Sequence, residues 1–312
     1  MRAAVVLGHG GPEEVAIREV PDPRPGPGEV RVAVRAVALN HLDLWVRRGL
    51  PGLELRFPHV GGSDVAGTVD EVGPGVEGWR RGDRVVVNPA LWCGECEWCR
   101  RGEESLCVSF RILGEHVPGG CAEYVVVPAR NLLRIPDALS FTEAAAVPLV
   151  FQTAWRALIA RARLQPGESV CVLGASGGVA TAAIQIAKWR GARVFAVTKG
   201  PEKVEKVRAL GADVVIDRGV SDFSRAVWEA TGKRGVDVVL DSVGAAVWAG
   251  AVRALARGGR LVAYGATTGP RAELDLRYVF WRQISILGST MASRREFESV
   301  MRLVFAGTLR PV

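Results

Sequence analysis

The first third of the chain alternates short apolar, β-branched runs with polar turns. Met1–Gly8, Val15–Val20, Glu29–Ala38, Ala66–Val72, Arg81–Asn88 and Glu123–Pro128 each predict a strand, since Val and Ile recur in them and Gly or Pro bounds them. Pro21-Asp-Pro-Arg-Pro-Gly-Pro-Gly28 is a turn-rich connector that no strand can cross. Short strands at this spacing predict a barrel-like β domain.

The period changes near residue 141. Ser140 with Glu143 three positions on has the form of a capping box, which opens a helix. From Ser169 the two periods alternate. Strands are predicted at Ser169–Leu173, Arg193–Thr198, Val214–Asp217, Val236–Asp241 and Arg260–Tyr264. Helices are predicted at Gly177–Arg190, Pro201–Leu210, Phe223–Ala230 and Ala246–Leu255. This rhythm means an α/β region with a parallel sheet. No internal repeat or low-complexity segment is present.

Composition narrows the class. The 312 residues are 48% apolar and 23% charged, which excludes intrinsic disorder and allows a large core without staples. The net charge is +7, and Lys occurs only at 188, 199, 203, 206 and 233, so 35 of the 40 basic residues are Arg. The charges are interspersed, with no basic run of five. That describes a solvated surface able to attract an anionic ligand and argues against a nucleic-acid partner. The longest charge-free stretch, Ser169–Ala187, is broken by Gly174-Ala-Ser-Gly-Gly178, so a strand, turn and helix explain it better than a membrane span. The apolar run at the start is too short for a secretory signal. A cytoplasmic protein acting on a small molecule is the expectation.

Two clusters carry chemistry. Cys93-Gly-Glu-Cys96-Glu-Trp-Cys99, followed by Cys107, supplies four thiolates in a short loop, a ligand set that suits one closed, tetrahedral, structural Zn2+. Cys171 lies in a core strand pattern, and Cys121 has no assigned role. The second cluster ends one strand and opens a helix: Gly174, Ser176, Gly177, Gly178 and Val179 form a tight turn at a helix N-terminus, where backbone N–H groups can receive a pyrophosphate. The following strand ends in Thr198 rather than in the carboxylate that would bind the ribose 2′-hydroxyl of NAD. Lys199, Lys203 and Arg218 follow. Cations without a carboxylate favour NADP(H) over NAD(H).

These features together resemble the medium-chain dehydrogenase/reductase superfamily, which includes zinc alcohol dehydrogenases and zinc-free quinone or enone reductases. The resemblance spans the chain. It rests on Gly62-Ser-Asp-Val-Ala-Gly-Thr-Val-Asp-Glu-Val-Gly73, Gly82-Asp-Arg-Val85, the cysteine lobe and Gly120-Cys-Ala-Glu-Tyr124. Ala144-Ala-Ala-Val-Pro148, the Gly174–Ala180 turn, Leu210-Gly-Ala-Asp213 and Ile286-Leu-Gly-Ser289 add to it. It implies a GroES-like β-barrel domain over residues 1–150 with a zinc lobe at 90–108. A Rossmann domain over 151–289 and a return toward the first domain at 290–312 complete the scheme. It also implies that the chain stops short of the helix and final strand that usually close the first domain. Thr153, Gly265 and His41 are implied cofactor contacts, the last near the pyrophosphate. A homodimer or homotetramer is implied too, with the apolar segment Val279–Gly288 as the candidate contact strand.

The metal-dependent alcohol machinery of that family does not map onto this chain. Where the zinc alcohol dehydrogenases carry Cys-His-Ser/Thr-Asp, the run is Asn40-His41-Leu42-Asp43; where they carry Gly-His-Glu, it is Gly62-Ser63-Asp64; the third ligand position falls near Leu149. A hydride transfer from nicotinamide to a quinone or an α,β-unsaturated carbonyl, without catalytic zinc, is therefore the leading expectation. Asn40 and Asp64 are the candidate catalytic residues, with Asn40 donating a hydrogen bond to the developing oxyanion. Two alternatives remain. One is an alcohol dehydrogenase with an unusual zinc site built from His41, Asp43, His59, Asp64 or His116. The other is a cofactor- or nucleic-acid-binding relative without catalysis.

Overall fold

Alternation of buried and open positions builds the antiparallel part of the molecule. In Glu29–Ala38, Val30 and Val32 point inward and are fully buried, while their neighbours are only partly covered. A five-stranded sheet in the order Leu132–Arg134, Arg84–Val87, Asp64–Val72, Glu29–Ala38, Tyr124–Pro128 collects such faces. Val65, Val85, Val87 and Val125 meet Val30 and Val32 in its core. A three-stranded sheet, Val15–Glu19, Arg2–Val6 and His59–Val60, lies beside it in the same unit. Asp64 to Gly67 are buried on both faces, which alternation alone does not anticipate. The pairing of this strand with Glu29–Ala38 carries two register shifts, and the helix Phe141–Ala145 packs across both strands.

The structure, a computed structural model, describes all residues 1–312. The chain forms two units: Met1–Leu149 with Ala292–Gly307, and Val150–Met291 with Thr308–Arg310. The return segment of the first unit is a helix, Arg294–Phe305, opened by a capping box of Ser293 and Glu296. It buries Phe297, Val300, Met301 and Val304, one stripe of the helix. No helix is long and apolar enough to cross a membrane.

The second unit is a six-stranded parallel sheet in the order Val214–Asp217, Arg193–Thr198, Ser169–Leu173, Val236–Asp241, Leu255–Ala263, Ser285–Gly288. Its central strand Ser169–Leu173 is buried throughout, as expected for a strand covered on both faces. This is the α/β Rossmann arrangement that the alternating pattern predicts, joined in one chain to a GroES-like antiparallel domain. Two elements differ from expectation. Leu255, expected to end a helix, begins the strand Leu255–Ala263, and the helix is shortened to Trp248–Ala254. The segment Val279–Gly288 is not one strand: a helix Leu276–Arg282, capped by Asp275, stops where Gln283 turns left-handed at φ 52, and only Ser285–Gly288 is strand. The Asp275 cap opens a helix here although Tyr278, Val279, Phe280 and Trp281 favour strand by themselves.

Candidate functional site

The four cysteines converge. Their Sγ atoms all lie within 4.8 Å of one another. Cys93–Cys99, Cys96–Cys99 and Cys107–Cys93 are 3.8, 3.5 and 3.5 Å apart. A tetrahedron with Zn–S arms of ~2.3 Å has edges of ~3.8 Å, so the set fits zinc. The lobe is a small hairpin, Ala90–Leu91 with Arg111–Ile112, closed by the short helix Glu97–Arg100. Backbone N–H groups of Cys96 and Ser109 donate to the Sγ atoms of Cys93 and Cys107, which favours the thiolates a metal needs. Four sulfurs would leave a bound zinc no position for substrate, so the set fits a structural centre. The helix Arg294–Phe305 reaches this lobe through its first residue, whose N–H donates to the Glu104 carboxylate at 3.1 Å.

In the second unit the glycine turn sits at the carboxyl end of Ser169–Leu173. Gly174 adopts φ 63, and the Ala175 N–H donates to the Val197 carbonyl of the next strand. Gly177 caps the helix Gly178–Trp189, whose first N–H groups have no carbonyl within the helix to bond. A Cβ on Gly178 would stand 2.9 Å from Val150 Cγ1, so the turn needs glycine there. Thr198 is buried and donates to the Ser176 hydroxyl at 3.4 Å. Gly265 passes against Ser242 closely enough that a Cβ would lie 3.2 Å from it. Thr153 is buried, its hydroxyl 3.8 Å from the Met291 sulfur.

A carboxylate is present here after all, supplied by the neighbouring strand. Asp217 stands opposite Thr198 in the parallel pairing, and it accepts from the Gly200 and Gly219 N–H groups. Parallel pairing brings the next strand's terminal Asp beside Thr198, a neighbour that spacing along one strand does not reveal. Lys199 is close by: a Cβ on Gly219 would meet both Asp217 Oδ1 and Lys199 Cγ. Lys199, Lys203 and Arg218 enter no ion pair.

The first unit holds the third cluster. Asn40 caps the helix His41–Arg48. Its Nδ2 donates to Asp64 Oδ2 at 2.9 Å, and Asp64 Oδ1 accepts from the Leu149 N–H at 2.8 Å. Asp64 is 1% exposed, and burial pushes its carboxyl up to about 7. Asp43 clamps the same loop: Oδ2 accepts from the Asn40 N–H and Oδ1 from the Gly62 N–H. The Ser63 hydroxyl is buried there without a hydrogen-bond partner. His41 is exposed and meets Trp45 edge to face. His59 lies in a strand, paired with Val6, buried, with Nε2 3.0 Å from the Gly114 carbonyl. His116 Nδ1 accepts from the Ile112 N–H. These side chains do not assemble a second metal cluster; only the four cysteines do.

The chain matches the family model of an alcohol dehydrogenase GroES-like domain over residues 26–137 and that of a zinc-binding dehydrogenase over residues 178–306. It is 38% identical to acryloyl-coenzyme A reductase of Metallosphaera sedula, covering 100% of this chain and 91% of that protein. It belongs to the medium-chain dehydrogenase/reductase superfamily. Among solved structures, a crystal structure titled as an NAD-dependent alcohol dehydrogenase is 49% identical, with a TM-score of 0.96 over 100% of this chain and 91% of that one. An NAD-dependent alcohol dehydrogenase of Saccharolobus solfataricus is 34% identical over 100% of this chain and 91% of its own length. This medium-chain dehydrogenase/reductase is thus an NAD(P)-dependent oxidoreductase, and the glycine turn described above has the form that receives such a cofactor.

Proposed function

We propose that the chain is a reductase that moves a hydride from a bound nicotinamide cofactor to an α,β-unsaturated carbonyl compound or a quinone, with one structural zinc and no catalytic one. The observation that carries this is the donor set around Asp64. By the resemblance, Asn40, Ser63 and Leu149 take the positions at which the zinc alcohol dehydrogenases keep their ligands, and Asp64, the carboxylate hydrogen-bonded to two of them, has both oxygens engaged by Asn40 and Leu149. An amide, a hydroxyl and an alkyl side chain do not fit a catalytic Zn2+. Similarity to acryloyl-coenzyme A reductase supports an unsaturated acyl thioester as the substrate class.

A nicotinamide cofactor held at the glycine turn would supply the hydride. As it arrives at the substrate β-carbon, negative charge moves onto the carbonyl oxygen. Asn40 has one Nδ2 hydrogen on Asp64 and a second one to give to that oxygen. Asp64 is a positioning residue: it fixes the amide rather than touching substrate. A proton from solvent then reaches the α-carbon. Gly174, Ser176, Gly177, Gly178 and Val179 would hold the pyrophosphate, with Thr153, Gly265 and His41 as further contacts. Lys199, Lys203 and Arg218 favour NADP(H), since the Asp217 carboxylate near them is already bonded to two backbone N–H groups. The reading includes a homodimer or homotetramer, formed through the edge strand Ser285–Gly288, and a cytoplasmic location, where thiols stay reduced.

The deciding experiment combines zinc per chain, by mass spectrometry on chelator-washed protein, with paired assays. One assay is crotonyl or acryloyl thioester reduction with NADPH and with NADH; the other is alcohol oxidation with the oxidised cofactors. One zinc per chain, thioester reduction and a preference for NADPH are expected. Two zincs with chelator-sensitive alcohol oxidation overturn the reading, and a preference for NADH overturns its cofactor part.

A further inference from the structure

The glycine turn and Asp217 lie at the carboxyl ends of the parallel strands, where α/β sheets bind their ligands. A second concentration of charge lies at the amino ends of the same sheet. Lys233 precedes Val236–Asp241, Arg257 lies in the first residues of Leu255–Ala263, and Arg282 precedes Ser285–Gly288. With Trp228, Arg234 and Ala256 they line a cavity of about 420 Å³. A second cavity of about 610 Å³ shares Trp228 and Arg282 with it.

Three of the six cations that line these cavities are neutralised. Arg234 pairs with Asp237 at 2.5 Å, Arg225 with Glu229 at 2.8 Å, and Arg253 with Asp222 at 3.6 Å. Lys233, Arg257 and Arg282 are not. Arg257 donates to the Trp281 carbonyl at 3.0 Å, and Arg282 donates to the carbonyls of Arg253 and Leu255. These bonds fix the guanidiniums in place but leave their charge uncompensated. Burial holds Arg282 below its ordinary value, opposed by Tyr278 and helped to a smaller extent by the Arg257 charge. Three positive charges around one cavity with no acid among them are unfavourable until an anion arrives.

Two further features point to the shape of that anion. Trp228 is 39% exposed and offers a flat aromatic wall to both cavities. Lys233 is held at φ 68, between Gly232 and Gly235, where glycine would sit without strain. Its backbone N–H donates to the Trp228 carbonyl at 2.7 Å, which fixes the main chain at Lys233 close to that of Trp228.

We propose that this cavity is a second ligand site, separate from the cofactor turn, for an aromatic, phosphate-bearing small molecule of the nucleotide class. Its phosphates lie on Lys233, Arg257 and Arg282 and its ring against Trp228. The volume is in the range of small-molecule sites.

The test is calorimetric titration of ADP into enzyme already saturated with NADPH, so that the glycine turn is closed to it. One further ADP per chain is expected. A Lys233→Glu, Arg257→Glu double variant, both side chains being exposed, should weaken that binding by at least ~10-fold while its NADPH affinity stays at the wild-type value. Trp228→Ala should weaken ADP but leave inorganic pyrophosphate unchanged. Should charge reversal disturb folding, Lys233→Gln with Arg257→Gln asks the same question. The proposal is overturned if the NADPH-saturated enzyme takes up no ADP, or if the charge variants bind it as the wild type does. It is overturned equally if Trp228→Ala leaves ADP affinity intact. None of these readouts depends on which substrate the enzyme reduces.

Discussion

Single residues decide the chemistry proposed here, and Asn40 is the first to test. Asn40→Ala removes the amide hydrogen offered to the oxyanion, and a fall of ~10²-fold in kcat on every accepted substrate is expected, as for loss of one oxyanion donor. Cofactor affinity, measured separately by fluorescence, should not move. Unchanged turnover on all substrates would remove Asn40 from the mechanism. Glu115 governs a different property. It is 9% exposed, and burial pushes its carboxyl up to about 7 from an ordinary value of 4.5. The folded protein therefore keeps this proton to higher pH than the unfolded chain. Between about 4.5 and 7 the folded state binds more protons, so stability falls as pH rises through that window. Asp64, raised to about 7 from 3.8, acts in the same direction. Glu115→Gln should flatten the decline of Tm between pH 5 and 7; a slope equal to that of the wild type would show that this carboxyl does not titrate there.

Elements carry the metal. The cysteine lobe has little apolar interior of its own: one short hairpin, one turn of helix and four sulfurs. A zinc bound by the four cysteines would supply much of its stability. Cys107→Ser should leave close to zero zinc per chain and lower the Tm. NADPH affinity should be unaltered, because the glycine turn belongs to the other unit. A variant that keeps one zinc per chain would show that the four cysteines are not its site. The cysteine spacing and the glycine turn are both legible in the amino-acid sequence, since ligand number and turn geometry depend on neighbours close along the chain. The helix Leu276–Arg282 is not: an apolar run reads equally as strand or buried helix, and only the Asp275 cap separates the two.

At the scale of the whole molecule, the parallel sheet ends in an uncovered strand. Ser285–Gly288 has a single neighbour in the sheet, and Ile286 upon it is 39% exposed. Phe280 and Trp281, on the preceding helix, are 63% and 74% exposed. An edge of this kind invites pairing with a second copy. Sedimentation should find a dimer or tetramer, and Trp281→Glu should shift it toward smaller species without loss of secondary structure. A wild-type chain that sediments as a monomer across the micromolar range would show that this edge does not assemble.

The amino-acid sequence was enough to predict the antiparallel and α/β parts of the fold, and to single out the four cysteines and the glycine turn as candidates, because each rests on periodicity or on spacing within a few residues. What it could not show was which distant groups meet. Asp64 bonds to Leu149, 85 positions on, and thereby becomes a fixed support for Asn40 instead of a free carboxylate. Asp217 lies beside Thr198 only because two strands pair in register. His59 is silenced by a carbonyl 55 positions away. The three cations of the 420 Å³ cavity that enter no ion pair, Lys233, Arg257 and Arg282, come from three separate strand ends. Whether an ionisable side chain is a ligand, a support or a surface charge depends on its burial and its partners, and both are properties of the folded chain.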